Sequence, residues 1–186
     1  MDPLALFAAS IEEIWTVRPS QATAGSEVHG RCSDLVAVPP ATPDGHVWVA
    51  HKDDMSPSTA FVAIEWRVPD EPVVLSLGSG PWISVSRNSA GLSLTGNELA
   101  PNDERIGVPR LLMVREQLTG GTLDEAVSMA LRPDRASPYN MVFAHRDGRV
   151  VDVEGSATDA EVAGPTPAAG MLANTNHYAC ERMLAF

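Results

Sequence analysis

The sequence predicts an α+β fold with helices layered on antiparallel sheets, and three observations carry that prediction. Short apolar runs bounded by proline, glycine or asparagine dominate the first half of the chain. The apolar period then becomes helical between residues 108 and 131. Beyond that point extended segments return around an Asp147-Gly148 turn. With 186 residues and 44% hydrophobic content, the chain can bury one substantial core, so a single domain is expected.

The elements follow in order. Residues 1–15 carry Leu4, Phe7, Ala8, Ile11, Ile14 and Trp15 at helical spacing, with Pro19 as the stop. Residues 20–30 are small and polar, an exposed loop with Gly25 and Gly30 that delivers the chain to Cys32. Cys32 opens a strand through Val36, Ala37 and Val38, closed by Pro39-Pro40. Ala41-Thr42-Pro43-Asp44-Gly45 has turn chemistry, so residues 46–51 return as the second arm of a hairpin. Further strands are expected at 61–67, 73–77, 83–86 and 92–95.

Val108, Leu111, Leu112, Val114 and Leu118 fit a helix with Pro109 in its first turn, ended by Gly120-Gly121. Thr122-Leu123-Asp124-Glu125 is a capping-box pattern that starts a second helix running to about Leu131, before Pro133. The two helices should pack together. Residues 139–145 and 149–154 form a second hairpin and 171–174 one more strand, while 155–170, with Pro165 and Pro167, reads as a loop without chemistry. No internal repeat or low-complexity tract is evident.

A formal charge of -11 argues against nucleic acid and anionic membrane surfaces as partners. No apolar run reaches the roughly 18–20 residues of a spanning helix, and the N-terminus lacks a signal-peptide pattern, so a soluble, cytoplasmic protein is expected. Only Cys32 and Cys180 are present, which gives no disulfide framework. Histidines 29, 46, 51, 145 and 177 include no i, i+4 pair, and no Cys-x-x-Cys occurs, so neither a metal site nor a cofactor is expected.

The chemistry centres on Cys32. Its thiol could attack the Arg31 carbonyl and pass the chain from nitrogen to sulfur; hydrolysis would leave Cys32 as a new N-terminus whose amine, of reference pKa about 7.7–8.0, serves as base to its own thiol. Taken alone, a cysteine before an apolar run reads as a packed, inert thiol. Four further pieces follow in order: Ala41-Thr42-Pro43-Asp44-Gly45-His46, Ala50-His51-Lys52-Asp53-Asp54, Asn88-Ser89-Ala90-Gly91-Leu92 and Asn174-Thr175-Asn176-His177.

Together with Cys32-Ser33-Asp34, this set resembles the acyl-coenzyme A:6-aminopenicillanic acid acyltransferase family, the C45 peptidase-like N-terminal-nucleophile (Ntn) hydrolases. The resemblance implies two antiparallel sheets between helical layers, an αββα sandwich with helices on the outer faces, here incomplete. It implies residues 1–31 as a propeptide-like helix and linker, and 32–186 as a partial hydrolase domain. Cys32 would be the nucleophile, Asp54 would orient or charge-stabilise its amine, and Asn176 would donate to the oxyanion. Asn97 would stand at the substrate pocket, and Asn88 would form a turn. His51 with Asp53 or Asp54 is the one local cluster of its kind and reads as strand-end polar residues near the nucleophile pocket, with His51 a second candidate for substrate binding.

The residues alone leave Asp53-Asp54 equally readable as an exposed acidic turn, and Asn176 as a cap or turn residue. Arg31 stands where the best-known members have glycine, and Lys52 where an asparagine is usual. A supporting family arginine would fall after Phe186, so the chain resembles the middle of a family member. The implied activity is an autoproteolytic cysteine acyltransferase or amidohydrolase on a small-molecule amide or acyl-CoA-like substrate, including bile-salt-like or acyl-homoserine-lactone-like conjugates. The alternative is a truncated, non-catalytic remnant acting as a binding or interaction module. The enzyme reading requires Cys32, Asp54 and Asn176 to converge, with the Cys32 strand central in its sheet.

Overall fold

The computed structural model describes residues 2–10, 32–55, 57–79, 82–99, 102–137 and 139–186. Helix α1 spans Pro3–Ser10; the rest of the expected first helix and the loop leading to Cys32 lie outside the described residues.

Strand β1, Cys32–Ala37, alternates buried and less buried positions, which is the period-two signature of a strand with one face covered. It sits at the centre of a three-stranded sheet between β2, Trp48–Asp53, and β10, Met171–Asn174. A seven-stranded sheet follows chain order: β3 Val62–Trp66, β4 Val74–Ser79, β5 Trp82–Asn88, β6 Leu92–Asn97, β7 Tyr139–His145, β8 Val150–Gly155 and β9 Ala160–Ala163. All of these strand pairings are antiparallel.

Helices α2, Arg110–Gln117, and α3, Leu123–Ala130, are inserted between β6 and β7 and cover one face of the large sheet. Val114, Leu118, Leu123 and Ala126 pack there on Leu92, Leu94, Met141 and Phe143, all buried. The expected capping box is formed: Thr122 Oγ1 accepts from Glu125 N–H at 3.2 Å, and Glu125 Oε2 accepts from Thr122 N–H at 3.2 Å. Asn88, expected as a turn residue, also joins sheet to helix. Its Nδ2 donates to the Leu118 and Gly120 carbonyls at the end of α2, and its Oδ1 accepts from Leu92 N–H.

Two expectations need correction. Residues 155–170 were expected to be loop, yet Ala160–Ala163 forms β9 against β8. With Val162 as its one large apolar residue, 48% exposed at a sheet edge, this strand carries almost no periodic signal. The second strand runs to Asp53 rather than stopping at His51, and this extension decides the site. Among the described residues the contacts place the helical layer on the large sheet only; Leu35, Trp48 and Met171 of the small sheet are 44% to 63% exposed. No helix among the described residues is long and apolar enough to cross a membrane.

Candidate active site

Residues directly opposite in an antiparallel pair present their side chains to the same face. The β1–β2 register pairs Cys32 with Asp53 and Asp34 with His51, so these four share the face turned toward the large sheet. Cys32 Sγ lies 3.3 Å from Asp53 Oδ1, and the second Asp53 oxygen accepts from the Ser84 hydroxyl on β5. His51 stands between two carboxylates, with Nδ1 2.8 Å from Asp34 Oδ1 and Nε2 3.3 Å from Asp53 Oδ1. The latter contact is close enough for ion pairing but off the line of a hydrogen bond.

A buried polar seam continues across the sheets. Asn97 Nδ2 on β6 donates to Asp34 Oδ2 at 2.9 Å and to Asn140 Oδ1 at 3.1 Å. Asn140 in turn donates to Asp152 on β8, which also accepts from Asn174 Nδ2 at 2.6 Å. Asn174 is paired with Asp34 across β10 and β1, so the seam closes on itself. Just beyond β10, Asn176 Oδ1 accepts from the backbone N–H of Cys32 at 2.9 Å, and its Nδ2 donates to the Glu98 carbonyl at 2.8 Å. The buried carboxylate of Glu154 secures this segment by accepting from the N–H groups of Ala179 and Cys180.

Electrostatics follow from that packing. Burial, then the hydrogen bond and charge of Asp53, push the Cys32 thiol up to about 12, against smaller lowering by the Glu98 backbone and Asn176. Burial alone would lower His51, but Asp34 and Asp53 outweigh it and raise the imidazole to about 9. Burial would raise Asp53, yet His51, Ser84 and Cys32 bring it down to about 2. The resting site is thus a protonated thiol facing an ionised carboxylate, with a cationic imidazole behind it. Burial raises Asp152 to about 7 despite bonds from Asn174 and Asn140.

The structure brings Cys32 and Asn176 together, with β1 central in its sheet. It does not bring Asp54 to them. Asp54 is exposed and pairs with Lys52 Nζ, while the place expected for it is taken by Asp53. Parity is the reason: with Asp53 opposite Cys32, the next residue cannot face the same side. His51 lies beside the thiol and also lines a cleft of about 440 Å³ with Val49, Leu75, Leu77 and Val85. Asn97 is fully buried, holding Asp34 and Asn140 rather than lining that cleft. Sequence reasoning missed Asp34 and Ser84, and reached Asp53 only as an alternative to Asp54 in a polar cluster with His51. Asp34 had a usable signal, since it stands two residues after Cys32 on an inward-facing strand, where an acid must find partners.

Two stacked antiparallel sheets with a cysteine opening the central strand of one of them define an N-terminal-nucleophile hydrolase fold. The model of the acyl-coenzyme A:6-aminopenicillanic acid acyl-transferase family matches residues 72–186, and the chain belongs to that family. Among solved structures it is similar to the Caenorhabditis elegans ortholog of N-acylethanolamine-hydrolyzing acid amidase, with a TM-score of 0.60 and 16% identity, over 82% of this chain and 75% of that one. It is also similar to a mutant of conjugated bile acid hydrolase from Clostridium perfringens, with a TM-score of 0.56 and 15% identity, over 81% of this chain and 54% of that one. The chain therefore spans three quarters and about half of the lengths of these two proteins. No curated protein matches it in sequence.

Proposed function

We propose that the chain is an Ntn-type cysteine amidohydrolase or acyltransferase that processes itself before Cys32 and then carries acyl groups on that thiol. The observation behind this reading is the placement of both ends of one residue: Cys32 Sγ against Asp53 at 3.3 Å and Cys32 N–H on Asn176 at 2.9 Å. In the first step Sγ bonds to the Arg31 carbonyl carbon while its proton passes to Asp53. The carbon–nitrogen bond then breaks, and the Cys32 nitrogen leaves with the proton that Asp53 gives back. Water hydrolyses the thioester, leaving the Arg31 carboxylate and a free Cys32 amine. Arg31 itself lies outside the described residues.

In turnover the amine takes the thiol proton, and Sγ attacks the carbonyl carbon of an amide substrate. The leaving amine takes up that proton, and the acyl group passes from sulfur to water or to an amine. N–H groups of Asn176 and of the Glu98 backbone, both of which favour the thiolate, are the candidate donors to the oxyanion. The apolar walls of the cleft beside His51 suit an amide with an apolar acyl group, and one structural relative is named as an amidase for N-acylethanolamines. A second reading, a binding module without turnover, is favoured by the thiol's rise to about 12.

Intact mass of purified protein held near neutral pH separates the two. Two pieces divided between Arg31 and Cys32, with Cys32→Ala remaining whole, are expected. A single uncleaved chain after prolonged incubation rejects the self-processing reading.

A further inference from the structure

Cys32, His51 and Asp53 each offer one ligand atom, and the three atoms lie within 4.8 Å of one another. An ion about 2.0–2.3 Å from its ligands in tetrahedral geometry spaces them roughly 3.3–3.5 Å apart. Both edges that meet at Asp53 Oδ1, to Cys32 Sγ and to His51 Nε2, measure 3.3 Å. His51 Nε2 is buried, makes no hydrogen bond, and belongs to a side chain only 4% exposed. Its other nitrogen is fixed by Asp34 at 2.8 Å, and Asp34 is held by Asn97. A carboxylate behind the imidazole in this way orients metal-bound histidines and raises their basicity.

We propose that Cys32 Sγ, His51 Nε2 and Asp53 Oδ1 form a three-ligand site for a zinc-type divalent cation. Binding forms three bonds to the ion and releases the thiol proton and any proton on Nε2 to solvent; nothing is oxidised or reduced. One thiolate, one imidazole and one carboxylate select zinc over magnesium or calcium, which take all-oxygen sets. The charge setting is favourable, since Asp34 stands behind His51 and Asp53 beside it in a chain of formal charge -11. Neither i, i+4 histidines nor Cys-x-x-Cys mark the site, because its ligands are supplied by cross-strand neighbours of β1 and β2 and not by a helix. The site uses only the uncleaved geometry and stands whether or not Cys32 is a nucleophile. That a bound ion would silence Cys32 is a consequence that does rest on the acyl-enzyme reading.

The test uses the full chain with Co²⁺ and Zn²⁺ as probes. One Co²⁺ per chain is expected to give a thiolate-to-metal charge-transfer absorption that Cys32→Ser abolishes and Cys180→Ser leaves intact. Zn²⁺, but not Mg²⁺, should slow alkylation of Cys32 by about tenfold or more, reversibly on adding EDTA, without protecting Cys180. Asp34→Asn should weaken Zn²⁺ binding by about 10–100-fold, as loss of an outer carboxylate does. Absence of the absorption in wild-type protein, its survival in Cys32→Ser, or equal protection by Mg²⁺ would overturn the proposal. If Cys32→Ser does not fold, site-resolved alkylation of the wild-type chain decides: unprotected Cys32 rejects the site, while protection specific to Zn²⁺ and Cys32 supports it.

Discussion

A carboxylate that accepts a thiol's hydrogen bond makes the thiolate harder to form, and Asp53 does this at Cys32. Asp53→Asn should therefore lower the thiol's pKa and speed its reaction with iodoacetamide at pH 8 by several-fold or more. Asp54→Asn should leave that rate unchanged, because its exposed carboxylate pairs with Lys52 at the surface, away from the thiol. Equal rates in the two variants would mean that Asp53 does not govern the thiol. The meeting of Cys32 and Asn176 was legible in the sequence from the order of five pieces, none of them specific alone. The choice of Asp53 over Asp54 was not legible, because a strand stopping at His51 leaves both acids in a turn, where alternation assigns no face.

Asp152 supplies a second test at the same scale. Its native pKa is raised to about 7 while an unfolded aspartate stays near 3.9, so the native state holds a proton that the unfolded state has lost. Its contribution to stability is greatest below the unfolded value and falls as pH rises from about 4 to about 7. Between pH 5 and pH 8 the urea midpoint should fall more in the wild-type chain than in Asp152→Asn. Parallel changes in both proteins would contradict the shift.

At the level of elements, Asn88 ties the end of β5 to the end of α2. Asn88→Ala leaves the Leu118 and Gly120 carbonyls and the Leu92 N–H without their partner, at a cost of about 3 kcal/mol or more. Thr122→Ala removes one cap from an exposed helix start and should cost only about 1 kcal/mol. Urea unfolding monitored by circular dichroism checks both, and the order of the two costs is the informative result. Helix α3 was readable because its cap is local in sequence. The wider role of Asn88 was hidden because its partners lie 30 and 32 positions away.

For the molecule as a whole, the family match leaves out the strand that carries the thiol and reaches its sheet only through β10. Residues 72–186 hold β4 to β10 and Asn176, whereas Cys32, Asp34, His51 and Asp53 come from β1 and β2. The motif order pointed to the fold, but sequence could not show that Ser84, Asn97 and Asp152 meet the small sheet across its inner face.

That meeting has a consequence for how the sheets are aligned. An oily interlayer can slide by a residue and lose little, whereas donors and acceptors arranged in alternation match at one offset only. Asn97 to Asp34, Asn174 to Asp152 and Ser84 to Asp53 work as the marks of a vernier. They set the lateral position of one sheet on the other, and with it the distance from the thiol to everything it is meant to touch.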